Sequence, residues 1–199
     1  MFHSPARKFF AYGLAIAAGE EFITQGVLEG SYFLWVFKVI PFAVFLGMAW
    51  CAREILNKHG RGWRPVALYY LVSGDVGLAL EWFVIGLSPW KDTTSPIVLL
   101  ALFHAGMFSF WGTVALAPHV LLDGRPEIAS LKRRFATTLA ILMGVIYAVA
   151  LAGKVAGMRG DLHSGATIGL VIITFLTMNV FYVQYFRLNG RPAIRAGSP

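Results

Sequence analysis

The sequence predicts an all-α integral membrane protein, a six-helix transmembrane bundle with both termini in the cytoplasm. Three observations lead there. The 199-residue chain is 57% hydrophobic and only 14% charged, where a soluble domain carries roughly 25% charge. Its mean hydropathy is +0.66. Six apolar segments reach the roughly 20 helical residues needed to cross about 30 Å of hydrocarbon. The basic residues then fall almost entirely on one side of those segments.

The spans lie at roughly 9–28, 32–52, 65–87, 96–118, 135–153 and 165–186. The start, MFHSPARKFFAYGLAIAAGEE, has the basic and apolar regions of a signal peptide. Apolar character resumes after Glu21, so it reads as an uncleaved first helix. A very short link around Glu29-Gly30-Ser31 leads into span two. Pro65 and Pro96 suit helix first turns. SPWKDTTSP separates spans three and four, and PHVLLDGRPE separates four and five. The tail RLNGRPAIRAGSP is polar and reads as frayed. Nothing divides the chain, so residues 1–199 read as a single transmembrane domain.

Of the 17 basic residues, 13 sit on one side: Arg7, Lys8, Arg53, Lys58, Arg61, Arg64, Arg125, Lys132, Arg133, Arg134, Arg187, Arg191 and Arg195. Only Lys91, Lys154 and Arg159 sit on the other, and Lys38 lies within a span. The positive-inside rule then places both termini in the cytoplasm. It also accounts for the net charge of +7 without nucleic acid as a partner. The expected site is a cell membrane, such as a bacterial inner membrane. The lone Cys51 cannot form an internal disulfide.

Polar residues inside the spans are the functional candidates, because a charge isolated in lipid costs at least about 2.5 kcal/mol. At a rise of 1.5 Å per residue, Asp75 falls near mid-depth in span three and Glu81 two turns further out. Glu20 and Glu21 lie in the outer half of span one, and Lys38 in the outer third of span two. His104 lies near mid-depth in span four and Asn179 in span six. Such groups are tolerable when spans one to four enclose a shared polar chamber. Each also has a structural reading: Glu20 or Glu21 pairing with Lys38, Glu81 and Trp82 as an interfacial anchor, His104 as a core histidine, Asn179 as an interhelical hydrogen bond. Helical spacing puts His104, Phe108 and Trp111 on one face, and Asp75 with Trp82 on another.

Cofactor chemistry finds little support. A b-type haem needs two axial ligands, but His104 and His119 lie near opposite ends of one helix, while His3, His59 and His163 fall in loops or tails. No close set of metal ligands stands out, and no P-loop or Ser–His–Asp arrangement is visible. No cofactor and no metal are expected.

Three segments in order, WVFKVIPFAVFL, YYLVSGDVGLAL and IVLLALFHAGMFSF, resemble the lysoplasmalogenase family of integral membrane proteins. The shared features are a lysine and proline opening a helix, a Gly-Asp pair in an apolar run, and a histidine in an apolar-aromatic helix. Here they are Lys38 and Pro41, Gly74 and Asp75, and His104. Asn179 stands where the family carries a second acid. The resemblance implies a small amphipathic substrate drawn from membrane lipid, and hydrolysis of a lysoplasmalogen vinyl ether to a fatty aldehyde. In that scheme Asp75 protonates carbon, Glu21 or Glu81 stabilises the cation or activates water, and His104 orients that water. Lys38 neutralises the lipid phosphate, and Glu20, Asn179 and Trp82 complete the substrate lining. A proton-coupled transporter or channel, and a non-catalytic subunit or lipid binder, remain open alternatives. The oligomeric state is left open.

Overall fold

A computed structural model describes residues 4–59, 62–87, 89–91, 95–157 and 161–190. The side chains of 34, 35, 38, 57–59, 161 and 162 lie outside the described set, as do the other residues, including the tail from 191. Six long helices make up the fold, with no strand among the described residues.

Helix α1 (Pro5–Glu21) continues into a π-helical segment, Phe22–Leu28. It is followed by α2 (Tyr32–His59) and α3 (Trp63–Leu80), and α3 also ends in a π segment, Glu81–Ile85. Then come α4 (Ile97–Leu122), α5 (Ala129–Val155) and α6 (Asp161–Asn189). Five segments are long and apolar enough to cross a membrane: Val39–Leu56, Trp63–Ile85, Ile97–Leu122, Pro126–Val155 and His163–Asn189. The chain therefore has the architecture of a multi-pass membrane protein. α1 is not among the five; its last turn carries Glu20 and Glu21, and its first turn Arg7 and Lys8.

The helices correspond to the six anticipated spans but run further at their basic ends. α2 continues past 52 to His59, and α5 begins at Ala129 rather than 135. Hydropathy marks the extent of hydrocarbon, whereas the backbone ladder continues until a breaker intervenes. Pro96 is the N-cap of α4, with extended ψ of 135°, rather than a first-turn residue. Gly30 and Gly86 close the two π segments with φ of 71° and 90°, a left-handed conformation that glycine adopts freely.

Contacts place both described chain ends on one side of the bundle. Phe9 of α1 packs its ring 5.3 Å from Trp50 of α2. Arg53 Nε donates to His119 Nδ1 near the end of α4 at 3.1 Å. Arg125, between α4 and α5, donates to Asn189 Oδ1 at the end of α6 at 2.9 Å. This is the basic side, called inner below; the opposite end is outer.

α4 is the central rod. From Ser109 to Pro118 every residue is buried, as expected of a helix covered all round. α3 approaches it closely because glycines on each helix admit aromatic rings of the other. A Cβ on Gly77 would lie 2.0 Å from Trp111 Cγ, and one on Gly112 would lie 2.3 Å from the Tyr70 ring. Trp111 stacks on Phe42 of α2 with ring centroids 4.6 Å apart. Around this core, exposed apolar side chains such as Phe37, Ile40, Leu71, Ile141 and Val180 form the perimeter, the face that lipid solvates.

Candidate functional site

The expected polar chamber is not formed as anticipated. Asp75 is exposed on the outside of α3, among the exposed Leu68, Leu71 and Val72 at positions one and two turns earlier. The inward face of α3 is instead Tyr69, Tyr70, Ser73, Gly74 and Gly77. Close packing of Gly74 and Gly77 on Phe108 and Trp111 fixes that rotation. Each residue turns the helix by about 100°, so Asp75, next to Gly74, faces away from α4.

Glu81 is buried, and Trp111 Nε1 donates to its Oε1 at 3.0 Å. It serves as an acceptor within the α3–α4 seam. Glu21 is buried on the α1 face that also carries Phe9, Gly13 and Ala17. Glu20 is half-buried, and its backbone carbonyl accepts from the Thr24 hydroxyl at 3.3 Å. The Lys38 side chain lies outside the described residues.

Asn179 holds three helices together. It accepts a short hydrogen bond from the Tyr70 hydroxyl, and its Nδ2 donates to Ser109 Oγ at 2.9 Å. Thr113 Oγ1 donates to Ser109 O at 2.7 Å one turn along α4. Tyr70, Ser109 and Thr113 were not singled out from sequence. An apolar-looking helix gives no sign that its tyrosine will meet an asparagine 109 residues away.

Two of the sequence-selected residues, Trp82 and His104, meet. Trp82, in the π segment of α3, faces His104 of α4 with ring centroids 5.9 Å apart. His104 Nδ1 lies 2.8 Å from Leu100 O. A carbonyl only accepts, so Nδ1 carries a proton, and in the neutral ring Nε2 is then an acceptor. Both His104 Nε2 and Trp82 Nε1 are buried without a hydrogen-bond partner among the described residues. An unmet acceptor and an unmet donor thus lie on adjoining rings. Leaving each unsatisfied costs roughly 1–3 kcal/mol.

His104 also lines a groove of about 900 Å³ between the outer halves of α4 and α6. Its walls are largely apolar, including Leu99, Phe103, Ile168, Ile172 and Leu176, and Gly165 and Gly169 leave room along α6. Lys91 closes the outer end. The charge count puts Lys91 on the outer side, and its position in SPWKDTTSP carries no further signal.

At the inner end the polar groups are matched. Asp123 Oδ2 accepts from Arg125 Nη2 at 2.6 Å and from the Tyr185 hydroxyl at 2.9 Å. Lys132 Nζ donates to Asp123 O at 2.7 Å. Burial alone would raise the Asp123 carboxyl, but the hydrogen bonds from Arg125 and Tyr185 outweigh it and hold it below its ordinary value. Among the described residues, no three His, Cys, Asp or Glu side chains are grouped to hold a metal. No family model, no curated protein and no solved structure matches the chain.

Proposed function

We propose that this chain handles a single-chain amphiphile, held by its tail in the groove between α4 and α6 and by a hydroxyl at Trp82 and His104. The observation that carries this reading is the unmatched pair itself. A single hydroxyl could accept from Trp82 Nε1 and donate its proton to His104 Nε2, since the two rings adjoin and His104 lines the groove. The apolar groove beside His104 suits one acyl or alkenyl chain, and Lys91 at the mouth suits a phosphate. A lysophospholipid has all three features: one chain, a free glycerol hydroxyl and a phosphate. We place the protein in a cell membrane, with the groove on the extracytoplasmic side given by the basic-residue asymmetry.

The test is binding in nanodiscs of a lysophospholipid against its analogue with the glycerol hydroxyl methylated. The wild type is expected to prefer the free hydroxyl by about tenfold, one to two hydrogen bonds' worth. His104→Phe and Trp82→Phe should each remove that preference while tail binding persists. Equal binding of the two lipids by the wild type refutes the reading.

Vinyl ether hydrolysis at the same groove is the second reading, favoured by the free His104 Nε2. A lysoplasmalogen carries the same hydroxyl, and its scissile carbon lies beside it. In this reading the His104 imidazolium delivers its Nε2 proton to the alkenyl carbon, and the resulting imidazole takes back a proton from the water that captures the cation. Asp75 is removed from the reacting set by its outward position, and Glu81 is engaged by Trp111. Aldehyde release followed by mass spectrometry decides this. Turnover lost in His104→Phe and kept in Asp75→Asn supports it; no aldehyde from the wild type ends it.

A further inference from the structure

We propose that α3 is the contact by which two copies of this chain pair in the membrane, with Asp75 of each copy bonded to Asp75 of the other. The membrane segment Trp63–Ile85 centres close to Asp75, which lies about 18 Å along the helix from Trp63 and about 15 Å from Ile85. Its carboxyl is exposed at that depth. No hydrogen bond or ion pair reaches it from the described residues. Lysine and arginine can snorkel from such a position on long stems, but the aspartate stem is a single methylene and cannot reach either interface. Left in lipid, the group costs at least about 2.5 kcal/mol. The compensating partner must therefore lie beside α3 in the plane of the bilayer.

A second copy meets this need without any further sequence. Copies inserted by the same charge rule share one orientation, so their Asp75 residues lie at equal depth. A two-fold axis along the membrane normal through this face brings the two together. Two carboxylates would repel, but a carboxylic acid both donates and accepts, so a pair that holds at least one proton between its members is self-complementary. Leu68, Leu71 and Val72 are 58%, 49% and 49% exposed on the same stripe and provide apolar packing around it. The arrangement is that of one polar position in an apolar helix seam, which fixes register and partner number.

The experiment begins from Cys51→Ser, since Cys51 is an exposed thiol. Val72→Cys, one turn from Asp75, is oxidised in native membranes. Ile141→Cys, 60% exposed on α5, serves as the control. The expected result is a disulfide-linked dimer from position 72 and none from 141. Single-molecule photobleaching in dilute bilayers then compares side chains. Asp75→Leu is expected to weaken dimerisation tenfold or more, whereas Asp75→Asn, which still donates and accepts, keeps it. Because Asp75 is on the perimeter, Asp75→Leu leaves the core intact, which an unchanged melting temperature verifies. The proposal is overturned by a monomeric wild type, by Asp75→Leu pairing as the wild type does, or by position 72 linking only to a different protein. None of these outcomes bears on lipid binding at His104.

Discussion

The inner and outer halves of the bundle treat polar groups differently. Inside, nearly every one is matched: Asp123 with Arg125 and Tyr185, Arg53 with His119, and Tyr69 with two main-chain carbonyls. The Tyr182 hydroxyl, toward the middle of α6, is the exception. Outside, Trp82 Nε1, His104 Nε2 and His163 Nε2 are buried with no hydrogen-bond partner among the described residues. The outer ends of α1 and α3 are also wound as π segments, a form that favours functional sites over stability. The difference separates groups that hold helices together from groups kept ready for something else.

That division predicts large stability effects at the glycine seam and inner end, and almost none at Trp82 and His104. The largest is Gly77→Ala, whose Cβ would overlap the Trp111 ring. It should cost about 3 kcal/mol, at the upper end of overpacking effects, read as unfolding in detergent by circular dichroism. A mild loss would mean that α3 and α4 can slide apart.

Next is Asp123→Asn, expected to cost about 1.5 kcal/mol at neutral pH through weakened charged hydrogen bonds. The Asp123 carboxyl is lowered in the folded chain from its ordinary value of 3.8. Its contribution is therefore complete above that value and is lost as pH falls through the folded-state value. In melts at pH 7 and pH 3, the gap between variant and wild type should narrow at the lower pH. A gap that persists in acid would assign the effect to packing.

Asn179→Leu breaks the link among Tyr70, Ser109 and α6 and should cost about 1 kcal/mol, in the range of interhelical hydrogen bonds. The smallest effect belongs to His104→Phe and Trp82→Phe. Removing a buried group with no partner relieves its desolvation cost of roughly 1–3 kcal/mol, partly offset by lost ring packing, so each melt should hold level or rise while lipid preference is lost. A large destabilisation there would erase the contrast between the two ends and count the pair as structural.

The sequence by itself determined what depends on one helix at a time. Apolar runs marked the six rods, five of them long and apolar enough to cross a membrane, and the distribution of lysine and arginine marked which ends belong together. The 3.6-residue repeat correctly put His104, Phe108 and Trp111 on one face, which meets Trp82, Gly74 and Gly77 of α3. Only the tertiary structure decided which polar residues face inward. Asp75 and Glu81 are six residues apart on one rod, yet one lies on the perimeter and the other accepts from Trp111. A helix's rotation about its own axis is set by how its small and large side chains mesh with those of its neighbours. That fit involves residues tens of positions away, and no pattern within a single span encodes it.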